Sequence, residues 1–528
     1  VPNLKWSMRI RAGSNVFAYA WARMGALYSW VAAQSRSRIV AMSVLAGAVA
    51  ALGHAPFDLP IFSVLGLMAA MALFISTQTV KRAALIGWSV GFGWFALSLN
   101  WIVEPFLVDI ARHGWMAPFA LVLLAGGLAF LWGAGFALTQ RFRTGPVQAL
   151  LLLCVVWTGV EALRGVLFTG FPWALIGHVL IDTPYVHLAA YIGALGLTLG
   201  LLLVVACLLL TLVFKRRALV PALVLIGAPL LNMPDALRVD PDRPMVRLIQ
   251  PNAPQHQKWD PDFIPIFYNR QLEFTRALPA VDLVVWPETA IPYALERAGG
   301  LIAQINKAAG GAGLILGAQR SEGPDYFNSL AVVGPSGGVS AVYDKHHLVP
   351  FGEYIPLAHL FSSIGFLGSA AQATGGYTPG PGPALLDIGA MGKALPLICY
   401  EGVFPRNLRG VARPDWLLLI TNDAWFGTFS GPYQHLAQAR LRSVEQGLPM
   451  VRVANTGVSA MIDPSGRVIE SIPLGEAGYR DVALPAPLPP TFYSKTGDGP
   501  LLLLLVFVAL TLVMIRKRSS IDGPAPQA

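Results

Sequence analysis

Charge is scarce in this sequence. Only 13% of its 528 residues are Asp, Glu, Lys or Arg, against 55% hydrophobic, and the mean hydropathy is +0.56. That is too apolar for a soluble globular chain and points to a polytopic membrane protein with room for two or more domains. Cysteine is scarce too: Cys154 and Cys207 lie inside apolar runs, and Cys399 in a polar region. These three supply no disulfide framework and no CxxC metal site. The formal net charge of +9 reads as membrane topology rather than nucleic-acid binding, because the basic residues gather at the ends of apolar runs and no nucleic-acid module is in sight.

Apolar runs of about spanning length cover 39–56, 60–77, 83–103, 115–139, 147–164, 186–213, 218–233 and 500–515. With a cytoplasmic N-terminus, the even-numbered crossings return near Lys81/Arg82, Arg141/Arg143, Lys215/Arg216/Arg217 and Arg516/Lys517/Arg518. All four returns are basic, and the opposite ends are much less so, as the positive-inside rule requires. The reading is eight spans with both termini cytoplasmic. Residues 1–38 form a basic cytoplasmic extension, 39–233 a seven-span membrane domain, 240–495 an extracytoplasmic domain, 500–515 the eighth span and 516–528 a tail. The extension reads as an amphipathic lead-in rather than a cleaved signal. Glu161 and Arg164, three apart on one helical face, either pair with each other or meet a headgroup.

Residues 240–495 alternate β-type runs (246–250, 282–286, 313–318, 329–333, 339–343, 395–399, 416–421, 450–454) with helix-like stretches at 263–277 and 433–446. This is an α/β pattern. Three of its strand ends carry chemistry. Cys399 ends the run Leu395–Ile398, where a thiol is presented to a pocket beside free backbone N–H groups; an inert buried cysteine is the plainer alternative. Glu288 follows a strand in Trp286-Pro287-Glu288-Thr289, as a general base or as a helix cap. Lys345, after Tyr343-Asp344, is a stabiliser of developing negative charge or a solvated surface charge. His346 and His347 point to opposite faces if extended, which argues against a metal site. The three residues in this chain order weigh more than any one alone.

With WPET at 286–289, YDKHHLVPFGEY at 343–354, ICYE at 398–401 and TNDAWFG at 421–427, residues 243–470 resemble the nitrilase superfamily. Seven spans before the domain and one after it resemble its membrane-bound branch, the apolipoprotein N-acyltransferase family of bacterial inner membranes. The resemblance implies a four-layer α-β-β-α sandwich inserted, on the periplasmic side, into a polytopic α-helical membrane protein. It implies Glu288 as general base, Lys345 as stabiliser of the tetrahedral intermediate and Cys399 as nucleophile, with Glu353, Tyr400, Glu401 and Trp259 needed for activity. No metal or cofactor is implied. The implied reaction takes an acyl chain from a phospholipid, typically phosphatidylethanolamine, to the N-terminal amine of a diacylglyceryl-cysteine lipoprotein through a thioester, at the bilayer.

Two apolar segments stand out as membrane-facing: an arm at Leu357–Leu367, and a gate at Trp425-Phe426-Gly427 with the glycine as hinge. Core packing is the alternative for both. Two other classes fit parts of the chain. A membrane-anchored amidase would use the same triad with water as acceptor, and a transporter would need paired intramembrane charges or broken helices in related halves.

Overall fold

The computed structural model describes residues 29–214, 219–227, 240, 242–356 and 376–521. Its first part is helical: α1 (Arg36–Ala51), α2 (Pro60–Ile75), α3 (Val80–Ser98), α4 (Ala117–Arg141), α5 (Pro146–Arg164), α6 (Ala189–Phe214) and α7 (Leu219–Gly227). Ser35 and Thr79 cap α1 and α3 by accepting the N–H groups of Arg38 and Arg82. Proline in the first turn of α2, α4 and α5 removes an N–H that has no helical partner there anyway. Small residues let backbones meet. A Cβ on Gly47 would lie 1.9 Å from the Val90 carbonyl oxygen, and one on Gly93 2.0 Å from that of Val44, so α1 and α3 touch through glycine.

Every apolar run of the sequence reading overlaps a helix, but fewer helices reach spanning length. Among the described residues three are long and apolar enough to cross a membrane: Ile110–Arg141, Pro146–Arg164 and Pro184–Leu212. A fourth arises if Val80–Ser98 and Asn100–Leu107, bent by 64°, count as one span. With 16 residues each, α1 and α2 extend only about 24 Å, short of a hydrocarbon core of roughly 30 Å. α6 is interrupted at Gly193, whose φ of 62° accommodates the ring of Tyr493; a Cβ there would lie 2.2 Å from that ring. The basic return at 215–217, the arm at 357–367, residues 1–28 and the tail from 522 lie outside the described residues.

The second part is a sandwich. β1 (Met245–Gln250), α8 (Ile264–Arg276), β2 (Leu283–Val285), α9 (Gly299–Ala309), β3 (Gly313–Glu322), β4 (Asp325–Val333) and β5 (Val339–Asp344) come first. β6 (Leu386–Asp387), β7 (Lys393–Ile398), β8 (Trp416–Thr421), α10 (Gly431–Gln446), β9 (Met450–Ala454), β10 (Ser459–Ile462), β11 (Val468–Ile472) and β12 (Gly478–Ala483) follow. The strands form two six-stranded sheets, ordered β12-β1-β2-β3-β4-β5 and β11-β10-β9-β8-β7-β6. β1–β2–β3 and β7–β8–β9 are parallel, and the outer pairings antiparallel.

Alternation sorts the side chains into layers. Leu283, Val285 and Ile315 meet Ile398, Leu418 and Ile420 between the sheets, while Val284, Leu314 and Leu316 turn outward onto α8 and α9. Leu417 and Leu419 turn outward on the other side, toward Ala439 of α10. The short helix α11 (Phe492–Thr496) then leads to α12 (Gly499–Ile521), which continues past the expected end at 515.

The two parts share a core. Tyr400, Val403 and Phe404 pack in the same apolar cluster as Trp94, Trp132, Trp157 and Trp173 of the helical part. Glu161 and Arg164 pair at 2.8 Å, fully buried, which decides for mutual pairing over a headgroup. Arg164 also donates to the carbonyls of Phe171 and Trp173, fixing the loop that leaves α5.

Candidate active site

Cys399 stands where β7 ends. Its φ of +52°, rare for a residue with a side chain, breaks the strand sharply into a 3-10 turn over Cys399–Val403. Glu401 holds that turn. Its fully buried carboxylate accepts the N–H groups of Ile398 (2.8 Å), His346 (2.8 Å) and His347 (3.1 Å) and the Tyr343 hydroxyl (3.0 Å). Burial pushes its pKa up, but the bond and charge of His346 and the Ile398 N–H outweigh that, so it stays below the usual carboxylate range. One side chain thus ties the end of β7 to the segment after β5.

That segment carries Lys345, which is buried. Its ammonium lies 2.9 Å from both carboxylate oxygens of Glu353 and 3.8 Å from Glu288. Burial disfavours the charge, yet Glu353 and then Glu288 overcome it and hold the lysine protonated. Glu353 also accepts the Val349 N–H at 2.8 Å, so it orients Lys345 from a tight turn.

Glu288 follows β2 in a turn whose next residue, Thr289, has φ +48°. Asn328 of β4 donates to Glu288 at 2.6 Å and to Glu353 at 3.0 Å. Burial raises the Glu288 pKa; Lys345 opposes and Glu353 reinforces that. The Cys399 thiol is pushed up chiefly by burial and then by the Glu288 charge, with Lys345 pulling the other way. A protonated thiol, a carboxylate of raised basicity and a fixed cation therefore share one enclosed site. Such a set can transfer an acyl group through sulfur.

The remaining expected residues are placed less uniformly. The Tyr400 ring packs on Phe404 and His347, and its hydroxyl donates 3.2 Å to the carbonyl of Gly170 in the loop after α5. Trp425 is 37% exposed on a 3-10 turn, Asp423–Phe426, while its neighbour Phe426 packs on Trp101 and Trp173. Trp259 makes no hydrogen bond or ring contact with the triad among the described residues; it lies against the Lys258 ammonium, 5.3 Å from its ring centre. His346 is taken by Glu401, and His347 stacks on Phe404 at 3.9 Å.

Two buried residues were not singled out by the sequence. Asn328 sits inside an apolar strand with no motif around it. Asp423, though within TNDAWFG, reveals its role only through its partners: fully buried, it binds Arg452 (2.6 Å), His435 (2.8 Å) and the Thr421 hydroxyl (2.8 Å). Burial works against its charge, but Arg452 and His435 prevail and hold its pKa down to about 2.

Two family models match the chain: the apolipoprotein N-acyltransferase N-terminal domain over residues 46–208 and carbon-nitrogen hydrolase over 269–487. The apolipoprotein N-acyltransferase of Rhodopseudomonas palustris is 38% identical over 516 residues, 90% of this chain and 95% of its own. The chain belongs to the apolipoprotein N-acyltransferase family. Members from Bradyrhizobium diazoefficiens and Caulobacter vibrioides are each 35% identical, over 90% and 92% of this chain and 94% and 96% of theirs. Family membership makes the chain an acyltransferase of the nitrilase superfamily acting in lipoprotein N-acylation, and its apolar helices are consistent with membrane insertion. Among solved structures, a CN-hydrolase superfamily protein from Xanthomonas campestris is 21% identical with a TM-score of 0.34, covering 54% of this chain and 99% of its own. An amidase of Nesterenkonia is 18% identical with a TM-score of 0.32, covering 47% and 93%.

Proposed function

We propose that the protein transfers an acyl chain from a membrane phospholipid, through a thioester on Cys399, to the N-terminal amine of a diacylglyceryl-cysteine lipoprotein. The observation that carries this reading is the meeting of Glu288, Lys345 and Cys399 in one buried site whose turn packs into the core of apolar helices. Phosphatidylethanolamine is the expected donor. Both substrates carry acyl chains that water would expel at about 0.8 kcal/mol per CH₂, so a site built against membrane helices is where they can be delivered.

In the first half-reaction Glu288 takes the thiol proton as sulfur bonds to the ester carbonyl. Lys345 and the Tyr400 N–H receive the oxyanion. Collapse breaks the ester C–O bond, and Glu288 returns the proton to the departing lysophospholipid oxygen. In the second, the lipoprotein amine attacks the thioester and gives its proton to Glu288. The C–S bond breaks, the amide leaves, and the thiolate recovers the proton. Glu353 and Glu401 position Lys345 and the cysteine turn, and Trp259 and Trp425 border the approach. The chain then lies in a bacterial inner membrane with eight spans, both termini cytoplasmic and the 240–495 domain periplasmic.

The test is intact-mass spectrometry of the detergent-purified protein with phosphatidylethanolamine, beside Cys399→Ala. A hydroxylamine-labile acyl adduct, absent from Cys399→Ala and discharged by a diacylglyceryl lipopeptide, is the expected result. No adduct, or discharge by water as fast as by lipopeptide, would transfer the assignment to amidase-type hydrolysis.

A further inference from the structure

Lys258 is a buried cation with no carboxylate within ion-pair distance among the described residues. It lies in a pocket beside Trp259, Ile264, Phe267 and Tyr268. Its ammonium donates to the backbone carbonyl of Glu288 (3.1 Å) and to the Thr289 hydroxyl (2.7 Å). These are the two residues of the turn that presents the Glu288 carboxylate. That turn is strained, since Thr289 adopts φ +48°, and it is pressed against Gly317, where a Cβ would lie 2.1 Å from the Pro287 oxygen and 2.7 Å from the Glu288 Cα. A left-handed β-branched residue is costly unless its surroundings fix it. The Gly317 carbonyl fixes one side by accepting the N–H groups of Ala290 and Ile291, and Lys258 fixes the other.

We propose that Lys258 is a positioning residue for acyl transfer: its ammonium clamps the Glu288–Thr289 turn and supplies a positive charge that favours the Glu288 carboxylate. Trp259 acts through it by walling the ammonium from water. This rests on Glu288 being the base. Charges facing Glu288 come from Lys345 and Glu353 on the β5 side, Lys258 behind the turn and Cys399 opposite, with Tyr377 the further titratable neighbour. Lys258 is itself brought down to about 8 by burial, with the Glu288 charge pulling the other way, so the apolar pocket leaves its field poorly screened. The clamp also accounts for Trp259, whose only ring contact among the described residues is with Lys258.

The experiment is the pH dependence of the single-turnover rate of Cys399 acylation by phosphatidylethanolamine, in mixed micelles, by the full-length protein. Lys258→Met is expected to move the acid limb up by about one pH unit, because Glu288 loses a favourable charge. Lys258→Arg, which keeps the charge, is expected to leave the limb in place at a lower plateau. An unmoved limb in Lys258→Met, or an equal movement in Lys258→Arg, overturns the proposal. Trp259, 40% exposed, can be removed with less risk to folding. Trp259→Ala is expected to move the limb in the same direction, and Lys258→Met/Trp259→Ala no further than Lys258→Met; additive shifts overturn the link between them. Glu288→Gln separates the two readings: acylation that survives with the wild-type limb refutes Glu288 as base, whatever Lys258 does.

Discussion

Glu401 and His346 are bonded twice: the carboxylate accepts the His346 backbone N–H at 2.8 Å and lies 2.7 Å from its ring Nδ1. Glu401 follows Cys399 by two residues, and His346 follows Lys345. The pair is a stitch between the two halves of the site. Glu401→Gln would turn an amide N–H toward donors and leave at least one buried N–H unpaired. It is expected to lower stability by roughly 3 kcal/mol and acylation by more than tenfold, read by denaturant melts and by the rate of adduct formation.

Glu353 both orients Lys345 and raises the Glu288 pKa. In Glu353→Gln the Lys345 charge is no longer shared, and a negative neighbour of Glu288 is gone. Both changes favour the Glu288 carboxylate. The acid limb of the acylation rate should therefore move to lower pH while the plateau falls, opposite in direction to Lys258→Met.

Removing the ammonium itself, in Lys345→Met, is expected to reduce adduct formation by about 100-fold or more, as for loss of an oxyanion partner in an enclosed site. Lys345→Arg should not restore it, because the wider guanidinium has no room where the lysine is 1% exposed.

Asp423 gives a stability test of known sign. Its folded pKa, about 2, is below the ordinary value of 3.8, so its contribution is present above pH 3.8 and is lost as pH falls through 2. That contribution is roughly 2 kcal/mol. Asp423→Asn should show a shallower loss of stability over this window in denaturant melts at pH 5 and pH 2.

Gly427 has φ +67°, and a Cβ there would lie 2.4 Å from the Glu104 carboxyl carbon. Gly427→Ala should cost about 1–2 kcal/mol from the backbone alone, plus the clash with Glu104. Adding Glu104→Ala should recover the clash but not the backbone part. Thermal melts of the single and double variants check this, and adduct formation reports whether the Trp425 turn has moved.

The positions of Glu288, Lys345 and Cys399 were readable because each stands just past the end of a strand, where alternation stops and a turn begins. Runs 416–421 and 450–454 coincide with β8 and β9 for the same reason: both faces are buried, so apolarity is unbroken. β6 has two residues, and β11 and β12 are only partly buried, so their composition did not set them apart. Asn328 was invisible because its meaning is its distance to two carboxylates 40 and 25 residues away in the chain. The apolar helices were legible as runs, and so were α8 and α10, but α9 and the short α11 were not. Span count was less legible, because hydropathy does not record where α1 and α2 stop or where Gly193 breaks α6.

The hydroxyl of Tyr400 on Gly170, and the placing of Tyr400, Val403 and Phe404 in the helical core, bear on how such an enzyme can be taken apart. In an anchored hydrolase the catalytic module could be cut free and still work. Here the turn that carries Cys399 is upholstered by the helices. Excision would lay Tyr400, Val403 and Phe404 bare beside the sulfur and loosen the turn that holds Cys399 at φ +52°. The helical part is thus one wall around the Cys399 turn, and among the described residues the two parts stand or fall as one packed unit.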